Sequence, residues 1–86
     1  MSTYNQDREL VDDLKVIMLG KLRANRHKAH WRILRLLQLL DMLKAEVKEL
    51  EDAITTNDKI SSIKQECADV AIFCAMISDN LGEETE

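Results

Sequence analysis

The stretch LLQLLDMLKAEVKELEDAI, residues 36–54, decides the fold of this chain. Its apolar residues recur at alternating spacings of four and three residues. Because each helical residue advances about 100°, such a row lies along one side of an α-helix and suits packing against another helix. The stretch therefore predicts a helix over residues 33–55. The row consists of Leu36, Leu40, Leu43, Val47, Leu50 and Ile54.

A second helix is predicted before this stretch, over about residues 6–22, where apolar residues also keep a helical spacing. A third follows a turn at residues 55–58 and runs over about 58–81, with Asn57 or Asp58 as its N-terminal cap. Its apolar row alternates spacings of three and four residues, again as expected for a packed helix. The row consists of Ile60, Ile63, Cys67, Val70, Cys74, Ile77 and Leu81.

Residues that interrupt helices are scarce in this chain, which agrees with three long helices. The chain has no proline and two glycines, so little interrupts a helix, and Gly82 is placed to end the third one. Residues 83–86 should form a frayed tail. We therefore expect one all-α domain over residues 1–86, an antiparallel bundle with three helices per chain. A chain of 86 residues with 45 % hydrophobic content has more apolar material than one small core needs, which favours self-association.

Composition argues against several partners and compartments. The net charge of −4 is unlike that of a dedicated nucleic-acid-binding domain, which is normally basic. No apolar run approaches the ~20 residues needed to cross a membrane, and nothing targets export. Cys67 and Cys74 would lie about 10 Å apart along a helix axis, too far for a disulfide. We expect reduced thiols in a cytoplasmic protein.

Positive charge is concentrated just before the quoted stretch. Half of all lysines and arginines fall within residues 21–35, and no acid lies between Lys15 and Leu40. This basic segment, residues 21–35, should attract phosphate or another anion. The alternative is a solvated connection between helices. Its members are Lys21, Arg23, Arg26, Lys28, Arg32 and Arg35.

Two pairs of acids interrupt the apolar helices, Glu46-x-x-Glu49 and Glu66-x-x-Asp69. Residues three apart share a helix face, so the pairs meet if the two helices run antiparallel. Buried carboxylates are costly unless they are paired or bound to metal. Oxygen donors without His or Cys favour Mg²⁺, with Mn²⁺ as an alternative, and Mg²⁺ usually completes its coordination with substrate phosphates. The alternative is that all four are ordinary exposed acids, which is the usual role of a single such pair.

The same residues resemble a known family. Trp31, the run LKAEVKEL at 43–50 and the run KQECADVA at 64–71 resemble the MazG-like all-α nucleoside triphosphate pyrophosphohydrolases. The signature of that family is Glu-x-x-Glu, a gap, and Glu-x-x-Asp, and the gap of 16 residues here fits it. The resemblance covers residues 25–82 and is closest to compact phage-type members.

The resemblance implies Mg²⁺-dependent cleavage of a nucleoside or deoxynucleoside triphosphate between the α and β phosphates, giving the monophosphate and pyrophosphate. It implies that the four acids bind the metal. Glu49 is the first candidate, and Glu46 the second, for orienting or deprotonating the attacking water. The metal ligands so implied are Glu46, Glu49, Glu66 and Asp69.

The resemblance also implies residues that hold the substrate. Lys28 and Lys64 are candidates for phosphate contacts, and Asn25 and Trp31 for the nucleoside end. The alternative for Trp31, an anchor of a core or an interface, is the more common role for such a residue, because an indole buries a large area. The family forms homodimers or homotetramers in which subunits complete each other's pockets, so the same is expected here.

Two other functions stay open. The apolar rows would also suit a non-catalytic helical module for oligomerisation or interaction, in which the acids are only surface. A nucleotide-binding sensor without catalysis is the other alternative. The preferred base and sugar, and the number of metals per site, are left open by the residues.

Overall fold

Three long α-helices make up the fold of the residues that the structure describes. The computed structural model describes residues 3–25 and 31–83. Within these ranges the chain contains no strand, so the all-α prediction is confirmed. A short 3-10 helix precedes the second long helix. The bounds are α1 Thr3–Ala24, the 3-10 helix Trp31–Ile33, α2 Leu36–Thr55 and α3 Ile60–Glu83.

α3 is the central element, because it packs against α2, α1 and the 3-10 helix. The most extensive of these contacts joins α2 to α3, which form a hairpin. The interior is small, and among the described residues α1 contributes no fully buried side chain to it. Among the described residues, the buried apolar side chains come from the hairpin, namely Leu39, Ala53, Ala68 and Ile72.

The turn between α2 and α3 is a helix C-terminal motif centred on Asn57. The Asp58 amide donates to the carbonyl of Ala53 at 2.9 Å, and the Asn57 amide donates to that of Ile54 at 3.1 Å. Asn57 has φ of 58°, a left-handed conformation that asparagine tolerates better than most residues. Asn57 therefore ends α2, and neither Asn57 nor Asp58 caps α3, which begins at Ile60. The predicted stop at Gly82 is also wrong, because α3 continues to Glu83.

α2 begins three residues later than the periodicity predicts. The amide of Leu34 donates to the carbonyl of Trp31 at 3.1 Å, which closes the 3-10 turn before the helix. The Arg35 amide then donates to the side chain of Gln38 at 2.8 Å and so receives a partner at the helix start. The apolar residue Ile33 consequently lies outside α2.

Half of the apolar row predicted to pack α2 lies on its outside, while Leu36, Leu43 and Leu50 are half-buried. Leu40, Val47 and Ile54 are 37, 47 and 58 % exposed, and we call these three residues the outer row. The face that packs on α3 instead includes Leu39 and Ala53, which are 0 and 5 % exposed. Since this is the side on which Glu46 falls, the hairpin turns an acid inwards and leaves apolar residues outside.

None of the described helices combines the length and the apolar content that crossing a lipid bilayer requires.

Candidate functional site

Three of the four predicted metal ligands meet between α2 and α3. Glu46 from α2 and Glu66 and Asp69 from α3 each offer one carboxylate oxygen, and these oxygens lie within 4.8 Å of one another. All three residues are half-buried. Oxygens that share a Mg²⁺ or Ca²⁺ ion lie about 3 to 5 Å apart, so small side-chain movements would bring these onto one cation. We call the three residues the acidic cluster.

Packing leaves one oxygen of the acidic cluster without a partner. Oε2 of Glu46 is shielded from solvent, and no group in the described part of the chain donates a hydrogen bond to it. An unsatisfied buried acceptor costs about 1–3 kcal/mol, and more when it is charged. A bound cation would satisfy this oxygen.

The surroundings of the acidic cluster disfavour the ionised form of its carboxyl groups. Burial of the Glu46 carboxyl, then a hydrogen bond with Glu49 and the negative charges around it, raise its pKa from 4.5 to about 7. Burial, followed by the charges of Glu49 and Asp69, also raises the pKa of Glu66, while the nearby charge of Lys21 lowers it. Burial and neighbouring negative charges both shift carboxyl pKa values in this direction, and a divalent cation would oppose the shifts.

Glu49, the fourth predicted ligand, lies at the edge of the acidic cluster. It is exposed and is not one of the three residues whose oxygens converge. Its carboxyl is nevertheless within hydrogen-bonding range of Glu46. An exposed carboxylate next to a cation site is well placed to take a proton from a water molecule. Its assignment as a metal ligand stays a prediction.

Lys21 belongs to this site although no motif marks it individually. Its Nζ atom lies 3.0 Å from Oδ1 of Asp69, and the two side chains are 25 and 28 % exposed. The contact exists because the last turn of α1 packs across α3, 48 residues away along the chain. Membership of the basic segment is its only signal in the sequence.

The residues predicted to contact the substrate do not gather at one place as the acidic cluster does. The side chain of Asn25 is exposed and donates to the Lys21 carbonyl at 2.9 Å, so it caps the end of α1. Lys64 is exposed on α3, and its position two residues before Glu66 directs it to nearly the opposite side of that helix. Lys28 lies outside the described residues.

Trp31 forms one wall of a small apolar cleft. The cleft has a volume of about 70 Å³ and adjoins the acidic cluster, because Ile72 follows Asp69 by one helical turn. The indole is half-buried, so it acts both as a packing anchor and as an accessible wall. The lining residues are Leu22, Trp31, Ile72, Ala75 and Met76.

A polar clamp at the end of α3 holds Trp31 in place. Asp79 accepts a hydrogen bond from the indole nitrogen of Trp31 at 2.8 Å and pairs with Arg32 at 2.8 Å. The adjacent Asn80, 5 % exposed, donates to the Trp31 carbonyl at 3.1 Å. The residues that form this clamp pair across 47 to 49 positions of the sequence, so no spacing rule reveals the clamp.

Comparisons with known proteins found no matching family model, no matching curated protein and no matching solved structure. The resemblance described above therefore rests on the motif residues themselves.

Proposed function

We propose that this protein is a Mg²⁺-dependent nucleoside triphosphate pyrophosphohydrolase, with Mn²⁺ as an alternative cofactor. One observation carries the proposal. Three half-buried carboxylates converge from two helices, and one shielded oxygen among them, Oε2 of Glu46, has no donor in the described ranges. A group of oxygens with this charge and no His or Cys suits a hard divalent cation that binds phosphates.

The residues divide the chemistry between them. Glu46, Glu66 and Asp69 would hold the cation, which when bound neutralises charge that develops on the phosphate oxygens. Glu49 would take the proton of the attacking water, with Glu46 as the second candidate. The water oxygen forms a bond to phosphorus on one side of the α–β bridge, and the bridging oxygen leaves with the bonding electrons. The products are a nucleoside monophosphate and pyrophosphate.

The base of the nucleotide would lie against the cleft beside Trp31, which at about 70 Å³ is too small to enclose a nucleoside. Ile72 and Met76 lie about 4.5 and 10 Å beyond Asp69 along the α3 axis, so a ligand whose phosphates reach the acidic cluster can place its base against this cleft. An indole wall favours a flat aromatic group such as a nucleobase. Lys28 and Lys64 remain predicted phosphate contacts, and Asn25 a predicted nucleoside contact.

Pyrophosphate release is the direct test. Purified protein with Mg²⁺, or with Mn²⁺, is offered each deoxynucleoside and nucleoside triphosphate in turn. We expect release from at least one of them. Asp69→Asn should lower kcat/KM by more than the roughly 10–100-fold that the loss of an outer metal-site partner costs. Asp41→Asn, the same change at an exposed acid on α2, is the matched control and should retain activity. Failure to cleave any nucleotide at high protein concentration would overturn the proposal.

Assembly into a homodimer or homotetramer is part of the proposal. The outer row leaves apolar side chains on the surface of α2, and an open apolar groove of about 420 Å³ runs along α1. A single chain therefore exposes apolar surface on more than one helix while burying little. Self-association would cover this surface and stabilise a small core.

A non-catalytic helical module is the second candidate, favoured by the same outer row. In that case the acidic cluster would be incidental, and Mg²⁺ would not change the stability of the protein. A nucleotide-binding sensor is separated from both by a different result, namely metal-dependent nucleotide binding without pyrophosphate release.

A further inference from the structure

The ion pair between Lys21 and Asp69 connects α1 to the acidic cluster. The atoms Nζ and Oδ1 are 3.0 Å apart, and both side chains are about three-quarters buried. Within the described ranges, Lys21 is the only basic residue that pairs with a member of the cluster. Its positive charge therefore occupies the neighbourhood that a divalent cation would take.

Asp69 cannot serve Lys21 and a divalent cation equally well. A doubly charged ion held by the acidic cluster would repel an ammonium group placed a few ångströms away. The lysine side chain can respond, because its four-carbon stem is flexible and its ammonium group makes no fixed bidentate geometry. Lys21 should therefore leave Asp69 when the cation arrives.

The backbone at Lys21 is fixed, so only its side chain needs to move. Its carbonyl accepts hydrogen bonds from the amide and the side chain of Asn25, at 3.1 and 2.9 Å. These bonds fix the last turn of α1 itself, and the packing of α1 on α3 places that turn beside the cluster. The displaced ammonium group would then be available to a phosphate that the cation brings into the site.

We propose that Lys21 is a phosphate-binding residue that Asp69 holds at the site until a divalent cation displaces it. This inference rests on the proposed function and assigns a residue to its substrate phosphates. It makes two predictions of opposite sign. Removing the charge of Lys21 should tighten binding of the metal alone, because a competitor for Asp69 is gone, and it should weaken binding of phosphates.

Calorimetry with two probes tests the proposal without relying on catalysis. The first probe is Mn²⁺ alone, and the second is inorganic tripolyphosphate in the presence of saturating Mn²⁺. A partly exposed ion pair is worth about 0–1 kcal/mol, so Lys21→Met should bind Mn²⁺ up to about fivefold more tightly. The loss of a charge-assisted hydrogen bond should weaken tripolyphosphate binding by about tenfold or more.

Two further variants separate this role from a structural one. Lys21→Arg keeps the charge and should keep most of the tripolyphosphate affinity. Lys48→Met removes a lysine that pairs with Asp52 at 2.9 Å on the exposed side of α2, and it should change neither affinity. Circular dichroism checks that each variant keeps its helices, and Lys21→Arg carries the test if Lys21→Met does not fold.

The outcomes distinguish this inference from the proposed function. Wild-type protein that binds no Mn²⁺ would overturn the metal site and the role of Lys21 together. Wild-type protein that binds Mn²⁺, combined with a Lys21→Met variant that binds both probes as the wild type does, would overturn only the role of Lys21. A Lys21→Met variant with weaker Mn²⁺ binding would also contradict it, because loss of a competitor cannot weaken the metal site.

Discussion

The inner and outer faces of α2 differ in a way that inverts the usual placement of residues. Glu46 and Val47 are neighbours in sequence, yet the acid is half-buried against α3 while the valine is 47 % exposed. An inward acid and an outward apolar residue are each unfavourable for an isolated chain. In the proposed function, a cation would compensate the acids of the inner face and a second apolar surface would cover the outer row.

The largest effect should come from the apolar part of the inner face. Leu39 is fully buried, so Leu39→Ala should lower the free energy of unfolding by about 2–5 kcal/mol, enough to unfold a marginal chain. Leu37→Ala, the same change at a residue that is 73 % exposed, should cost within about 0.5 kcal/mol. Urea unfolding measures both. Equal costs at the two positions would show that the hairpin packs through a different face.

A charge in the outer row should affect assembly more than folding. Val47→Lys places an ammonium group in the surface proposed to pair, and a dimer would contain two copies of it. Losing about 1 kcal/mol or more per copy would weaken the dimer at least roughly 30-fold. Sedimentation velocity should show the variant shifted to monomer and the control Asp41→Lys unchanged. A wild-type protein that is monomeric at every concentration would contradict self-association through this face.

The acid on the inner face should make the metal-free protein sensitive to pH. Because the pKa of Glu46 is raised from 4.5 to about 7 in the folded state, its contribution to stability is fully present below pH 4.5 and is lost as the pH rises through about 7. With a chelator present, the urea midpoint should therefore be lower near pH 8 than near pH 5.

Glu46→Gln should flatten this pH dependence, although part of the slope should remain because the pKa of Glu66 is raised as well. Glu51→Gln, at an exposed acid on the same helix, should keep the slope of the wild type. A slope of opposite sign in the metal-free protein would show that Glu46 is not held among uncompensated charges.

The smallest effect should lie in the turn that brings the two acid pairs together. Asn57 has φ of 58°, so Asn57→Gly should change the free energy of unfolding by less than about 1 kcal/mol. Asn57→Val should lower it by roughly 1–2 kcal/mol, because a branched side chain is strained in this conformation. Thermal unfolding compares the pair, and equal stability would show that Asn57 does not adopt the left-handed conformation in solution.

Much of the fold follows from local spacing. Periodic apolar rows predict the three helices, and the absence of proline predicts their length, because both are properties of neighbouring residues. The convergence of Glu46 with Glu66 and Asp69 is also predictable, since a short turn between two helices brings equivalent positions together. The outward position of the outer row is not predictable from the sequence. Residues such as Leu39 and Leu40 are equally apolar, and their spacing does not say which of them faces α3.

The remaining features depend on contacts between residues far apart in sequence. The ion pair of Lys21 with Asp69 and the clamp of Asp79 on Trp31 each join positions 48 apart, which only the packing of α1 and the 3-10 helix on α3 decides. Even the start of α2 depends on such packing, because the 3-10 turn at Trp31 takes residues that the apolar periodicity would assign to the helix.

The most direct measurement is the unfolding midpoint of the wild-type protein as Mg²⁺ or Mn²⁺ is added. If the acidic cluster binds a cation in the folded state, the midpoint should rise with concentration, reaching about 2.7 kcal/mol of added stability at a hundred times the dissociation constant. Asp69→Asn should abolish the rise and Asp41→Asn should preserve it. A wild-type midpoint that stays constant in both metals would contradict a cation site between α2 and α3.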